Sequence, residues 1–192
     1  MKKALIIIAV IFVVLLVIAL GMFSWVKNNY NSMVTMDEGI NGAWAQVENV
    51  LQRRFDLIPN LVATVKGYAS HESEVFIQVT EARSKVGGAG TPAQRMQAEG
   101  ELSSALSRLM VVVENYPQLK ANTNFIMLQD QLEATENRIS VERGRYNETV
   151  RRYNTIIRRF PQSVIAGMFG FDKREFFEAS AGAEEAPKVS FE

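Results

Sequence analysis

The sequence predicts an all-α protein: a single N-terminal transmembrane helix followed by an antiparallel up-and-down four-helix bundle. Three observations carry that prediction. Residues Ala4 to Val26 contain no charged side chain. From there to Phe160, apolar residues recur at three- and four-residue steps, with none of the period-two alternation of a strand. Breaks at Gly87 to Pro92, at Pro117 and at Pro161 cut the periodic stretch into rods.

The first stretch, ALIIIAVIFVVLLVIALGMFSWV, spans 23 residues, roughly 34 Å as a helix. That exceeds the roughly 30 Å hydrocarbon core of a bilayer. Its many β-branched residues are no obstacle, because a helix satisfies its own backbone amides and lipid demands that. A cleaved secretory signal is the competing reading, but Ala19-Leu20-Gly21 imitates a cleavage site poorly, and no cysteine follows for lipidation. Lys2, Lys3 and the terminal amine precede the apolar run, whereas only Lys27 follows it directly. The positive-inside rule therefore keeps the N-terminus cytoplasmic and delivers the bundle across the membrane. Trp25 and Tyr30 fall where an interfacial aromatic belt forms on the far side.

Three of the 21 basic residues precede Asn28, leaving 18 against 21 acidic ones in the body. So even a balance gives no electrostatic footprint for nucleic acid. Cysteine is absent, so neither disulfides nor thiolate chemistry contribute, and an exported domain is held by its core alone.

The first rod, about residues 31–54, carries Met33, Met36, Ile40, Trp44 and Val47 on one side. Pro59 lacks an amide hydrogen and disfavours α geometry at Ile58. Asp56 can cap a new helix with Pro59 in its first turn, giving a second rod to about Val86. The heptad spacing continues across the proline, which supports an alternative of three long helices, the first kinked at Pro59. Comparable rod lengths favour the turn. Thr91 and Pro92 have N-cap and N1 character for a third helix, Pro92 to Tyr116. The last helix, about Gln118 to Phe160, places Phe125, Ile139, Tyr146, Tyr153 and Phe160 on heptad-like steps. Residues 163–178 read as a short amphipathic aromatic segment, and 179–192, rich in Ala, Gly, Glu and Pro, as a disordered tail. The domain plan is thus an anchor (1–27), a bundle (28–162), the aromatic segment and the tail.

Several stretches together are distinctive: Tyr30-Asn31, AWAQV around Trp44, RRFDLIPNLVATVKGYASHE from Arg53, EARS from Glu81, NYPQLKAN from Asn115, ISVERGRYN from Ile139, YNTIIRRFP from Tyr153, and FGF from Phe169. With the N-terminal anchor they resemble the LemA family over essentially the whole chain. The RRFDLIPNLV block is the most specific part. The resemblance implies a membrane-tethered helical bundle at the bacterial cytoplasmic (inner) membrane and brings no catalytic residues with it. Some family relatives are linked to membrane organelle formation or sit beside membrane proteases; neither role is carried over.

Candidate chemistry is sparse. His71 is the single histidine, and HESE lacks the spacing of a zinc helix or a partner for a catalytic triad. Gly87 to Gly90 lacks the Lys and Ser/Thr of a phosphate loop. The arginines between Arg143 and Arg159, interleaved with Tyr146 and Tyr153, read as a solvated face pairing with Glu142 and Glu148, with anionic lipid headgroups as the alternative. Neither a metal nor a cofactor is predicted. Arg53, Arg54, Asp56 and Asn60, with Pro59, form the densest polar cluster, either a capped, salt-bridged turn or a partner-docking knob. Phe169, Phe171, Phe176 and Phe177 join Trp25 and Tyr30 as candidate membrane-interface residues, with capping of the bundle's end as the alternative. The functional expectation is a non-catalytic scaffold or assembly protein. Its partners would be the bilayer, a membrane or envelope protein and a second copy of itself, with no nucleic acid. The alternative is a membrane-shaping homo-oligomer.

Overall fold

The computed structural model describes residues 2–177. Six helices follow in chain order: α1 (Lys2–Lys66), α2 (Ser73–Gly88), α3 (Pro92–Val113), α4 (Pro117–Lys120), α5 (Thr123–Arg158) and α6 (Gln162–Phe169). No strand occurs among the described residues, so the all-α class with a long apolar N-terminal helix stands. The tail expected at 179–192 lies outside the described residues. These fall into two compact units: residues 2–43 with 148–174, and residues 44–147 with 175–177.

The second unit is a helical bundle around one apolar core. Ile58, Leu61 and Val65 of α1 meet Phe76 and Val79 of α2, Leu102 and Leu109 of α3, Leu119 of α4 and Phe125 of α5. On α1 the buried positions step through Val47, Leu51, Ile58, Leu61 and Val65, so the inward stripe does not pause at the proline. This corrects the turn expected at Asp56 to Pro59: α1 runs through Pro59 to Lys66. Pro59 lies on the exposed side, where its ring displaces no core contact. Its missing N–H orphans the carbonyl of Phe55. Arg83 of α2 fills that vacancy, Nε donating to Phe55 O at 3.2 Å, with the guanidinium 3.8 Å above the Phe55 ring. The chain instead reverses after Lys66, where Tyr68 N and Ala69 N both donate to Val65 O and Ala69 is buried.

The start of α3 follows the sequence reading. Thr91 Oγ1 accepts from Gln94 N at 3.2 Å, Pro92 occupies the first turn, and Gln94 Oε1 accepts from Gly90 N. The last long helix does not start at Gln118 as expected. A single turn, α4, ends first, and Asn122 Oδ1 then caps α5 by accepting from Phe125 N at 3.0 Å. An asparagine in this position offers the backbone a better partner than continued helix would.

In the first unit, Met33 and Ile40 of α1, Val150, Tyr153 and Ile157 of α5, and Ile165 and Ala166 of α6 are buried. A Cβ on Gly39 would lie 3.9 Å from the Thr149 methyl, so α1 and α5 approach closely there. Gly170, at φ +72°, ends α6 in the left-handed conformation that glycine adopts without strain. The chain then runs without helix, and Asn154 clasps it: Nδ2 donates to Arg174 O at 2.8 Å, and Oδ1 accepts from Arg174 N at 3.0 Å. The Arg174 guanidinium forks onto both carboxylate oxygens of Asp37, each at 2.8 Å. Phe160, expected on the inward stripe, is 80% exposed, because α5 ends at Arg158.

The Phe55 carbonyl yields a test. Pro59→Ala supplies the missing amide, so Arg83→Ala should cost about 1–2 kcal/mol in the native background and distinctly less in the Pro59→Ala background. Urea unfolding of the detergent-solubilised chain measures both. Equal losses would show that Arg83 is not compensating for the proline.

Candidate functional site

The polar cluster on α1 splits across two faces. Arg54 occupies the inward heptad position between Leu51 and Ile58 and is 1% exposed. An ionised guanidinium there is costly unless charge and hydrogen bonds surround it. They do. Nη2 pairs with Glu99 Oε2 of α3, itself 0% exposed, while Nη1 reaches Glu136 Oε2 of α5 at 2.7 Å. Nη1 also donates to Ser103 Oγ at 3.0 Å, and that hydroxyl in turn donates to Glu99 O. Arg95 completes the group, with Nε 3.3 Å from Glu99 Oε1 and Nη1 donating to Val86 O at 2.9 Å. Arg143 lies within its field. Burial first, and the Arg54 charge second, push the Arg143 guanidinium below its usual range, with Glu136 and Glu99 opposing.

Arg54 is therefore withdrawn from the docking cluster: it is a buried tie between α1, α3 and α5. Arg53, Asp56 and Asn60 remain, all exposed. Asp56 Oδ1 accepts from Gln52 Nε2 at 2.9 Å within the helix. A capped turn is thus replaced by a continuous polar face of α1.

The aromatic candidates also divide. In the first unit, the Tyr30 ring meets Phe169 at 4.9 Å and Phe171 at 5.6 Å between centroids, both edge-on. Trp25 is exposed on α1, and Phe176 is exposed. Phe177 is not an interface residue, because it is buried in the second unit. Arg143 lies 4.0 Å over its ring, Trp44 packs beside it at 6.4 Å, and Asn147 clasps its backbone N and O at 2.7 and 2.8 Å. A large ring that finds a guanidinium, an indole and a doubly bonded backbone has little to gain from lipid.

His71 is exposed in the turn between α1 and α2. Among the described residues no three His, Asp or Glu side chains converge on a metal-sized space. On α5, Arg145 pairs with Glu142 at 2.8 Å, and Arg151 and Arg152 share Glu148. Those two hydrogen bonds hold the Glu148 carboxyl below its ordinary range.

Residues 43–191, which include the Arg54 cluster and Phe177 but not Trp25 or Tyr30, match the profile of the LemA family. The chain belongs to the LemA family. It is 28% identical over 175 residues to "Magnetosome protein MamQ 2" of Paramagnetospirillum magneticum, covering 78% of this chain and 64% of that protein. It is 27% identical over 180 residues to "Magnetosome protein MamQ" of Magnetospirillum gryphiswaldense, covering 80% and 66% respectively. "Protein LemA" of Metamycoplasma hominis is 21% identical over 171 residues, covering 88% of this chain and 78% of its own length. The match therefore spans just under two thirds of the MamQ relatives.

The sequence reading missed Glu99, Glu136, Arg95 and Arg83. The spacing of apolar residues pointed to Glu99 and to none of the other three. Arg54 continues the 47, 51, 54, 58, 61 spacing, and Glu99 sits in the Ala98–Leu102–Ala105 stripe, so each is a charge where the pattern asks for an apolar residue. Removing one partner leaves the other buried and unpaired. Arg54→Ala should therefore destabilise by about 3–5 kcal/mol, whereas Arg53→Ala stays within about 0.5 kcal/mol. Arg54→Met with Glu99→Leu should recover much of the loss. Denaturant midpoints of the four proteins check the pattern, and equal effects at Arg53 and Arg54 would refute it.

Proposed function

We propose that the protein is a single-pass, membrane-anchored scaffold or assembly factor that acts by association and performs no catalysis. The observation that carries this reading is α1 itself. Its N-terminal stretch is apolar enough and long enough to cross a membrane and is wholly exposed, while the same helix carries Ile58, Leu61 and Val65 of the helical core. The convergent charges, Arg54, Glu99 and Glu136, pair with one another, and Arg54 and Glu99 are withdrawn from solvent. The lysine bias around the apolar run orients the N-terminus to the cytoplasm and the bundle outside the inner membrane. Arg53, Asp56 and Asn60 form the face offered to a membrane or envelope protein. A second reading, a bilayer-shaping homo-oligomer, draws on the exposed Val111, Met127 and Val141 of the bundle and on the magnetosome names of the MamQ relatives.

Two measurements test the proposal. The full chain should stay with membranes through alkaline extraction, and a photocrosslinker at Asn60 should capture a discrete membrane or envelope protein. Arg53→Glu with Asp56→Arg should abolish that capture without changing the melting temperature. A ladder of self-adducts supports the oligomer instead, and release of the intact chain into the aqueous extract would end both readings.

A further inference from the structure

We propose that α6 is a second membrane contact, docking on the bilayer surface with its outer apolar side in the interface and recognising anionic headgroups through Arg158 and Arg159. The inference rests on the anchor reading above and adds a lipid-binding surface to it.

The first argument is composition against burial. α6, QSVIAGMF, contains no charge. Past Gln162 and Ser163 it carries only apolar side chains and glycine, and such a stretch needs apolar surroundings for every side chain it presents. The protein covers only part of it: Ile165 and Ala166 are buried and Phe169 is half covered by Tyr30, whereas Val164 and Met168, the latter 75% exposed, face outward. Phe160, in the link before α6, is more exposed still. Capping the end of the unit accounts for the inner pair and leaves the outer side chains unexplained.

The second argument is depth. The apolar run of α1 ends at Val26, and Tyr30 stands four residues further, about 6 Å along the axis. That is the thickness of the headgroup layer beyond the hydrocarbon. Tyr30 touches Phe169 and Phe171, so α6 is held at that level within the same unit. The α5 helix arrives there as well. Thr149 faces Gly39, and nine residues on along α5 and nine back along α1 bring Arg158 level with Tyr30. Arg158 and Arg159 are exposed, and Lys27 lies on α1 at the same border. Exposed aromatics and methionine beside exposed guanidinium groups, at the depth of phosphates, form a surface complementary to an anionic bilayer. A continuous anchor makes the contact intramolecular, so even weak docking is populated.

The chain contains no cysteine, so Val13→Cys and Met168→Cys can each carry one environment-sensitive fluorophore. The full-length proteins are reconstituted in vesicles of phosphatidylcholine, with and without phosphatidylglycerol. The Val13 label should be quenched by deep acyl-chain nitroxides in both. The Met168 label should be quenched by shallow nitroxides, more strongly with phosphatidylglycerol. Arg158→Gln and Arg159→Gln, both on exposed positions, should lower the docked-to-undocked ratio roughly five-fold for each charge removed, in the anionic vesicles alone. Aqueous iodide reaching the Met168 label while the Val13 label stays shielded would overturn docking and leave the anchor standing. Iodide reaching the Val13 label overturns the anchor and the docking with it. A Met168 label shielded from iodide and nitroxides alike, and opened on dilution into excess lipid, would assign the face to a second copy and overturn the lipid contact. Quenching indifferent to phosphatidylglycerol and to both arginine variants would overturn headgroup recognition.

Discussion

A guanidinium inside a bundle core is the constraint on which the second unit depends. Arg54 enters from α1 at a position that packing alone would give to leucine, and its charge is tolerable only while Glu99 of α3 and Glu136 of α5 stay within reach. Aliphatic side chains slide past one another with little change in buried area, so an apolar core fixes helix register weakly. A buried ion pair fixes it strongly, because one heptad of slippage leaves two charges without partners. The group holds three arginines and two glutamates, and the excess positive charge falls on Arg143. That residue is the least well compensated, which explains why burial and Arg54 together disfavour its proton. It gains instead from the face of the Phe177 ring.

The second constraint is local and lies one residue further along the same helix. Pro59 removes the donor that Phe55 O requires, and the helix survives because Arg83 supplies another from α2. The most specific stretch of the sequence, RRFDLIPNLV, and the EARS stretch are thereby joined by one hydrogen bond and one cation–π contact. Adjacent residues of α1 thus make two different demands. Arg54 needs acidic residues on α3 and α5, and Phe55 needs a basic residue on α2. Between them, three helices are tied to α1 by polar groups that the core does not provide.

Much of this was legible in the sequence. The helical class, the Gly87–Thr91 break with its Thr–Pro start, and the inward Phe125, Ile139, Tyr146 and Tyr153 of α5 follow from the spacing of apolar residues and from turn chemistry. The end of α1 was not legible. A proline with an upstream aspartate is a sound local signal for a new helix; the heptad spacing across it points the other way, and Arg83, 28 positions from Phe55 in the chain, lets the helix continue. Local propensity yields to tertiary context in this way wherever a distant side chain can satisfy the freed carbonyl. The Asn122 break between α4 and α5 failed for the opposite reason, a cap hidden inside a periodic stretch. Arg53 and Arg54 looked equivalent because adjacency was weighed above phase. Carrying the heptad past Leu51 separates them, one to solvent and one to the core. Phe177 misled because its aromatic character suggested an interface, and its partners, Asn147 and Arg143, belong to a distant helix.

In the first unit polar groups are spent on backbone and on each other in the same economical manner. Asp37 and Asn154 between them satisfy the side chain and the main chain of Arg174. Asn154 does so with the amide geometry that a neighbouring strand would use, so an extended segment is held against a helix without a sheet. The consequence is a division of labour on the surface of that unit. The Asn154 amide faces the chain that follows Gly170, while uncharged α6 keeps Val164 and Met168 uncovered by protein. That uncovered side is the part of the unit that apolar surroundings would fit.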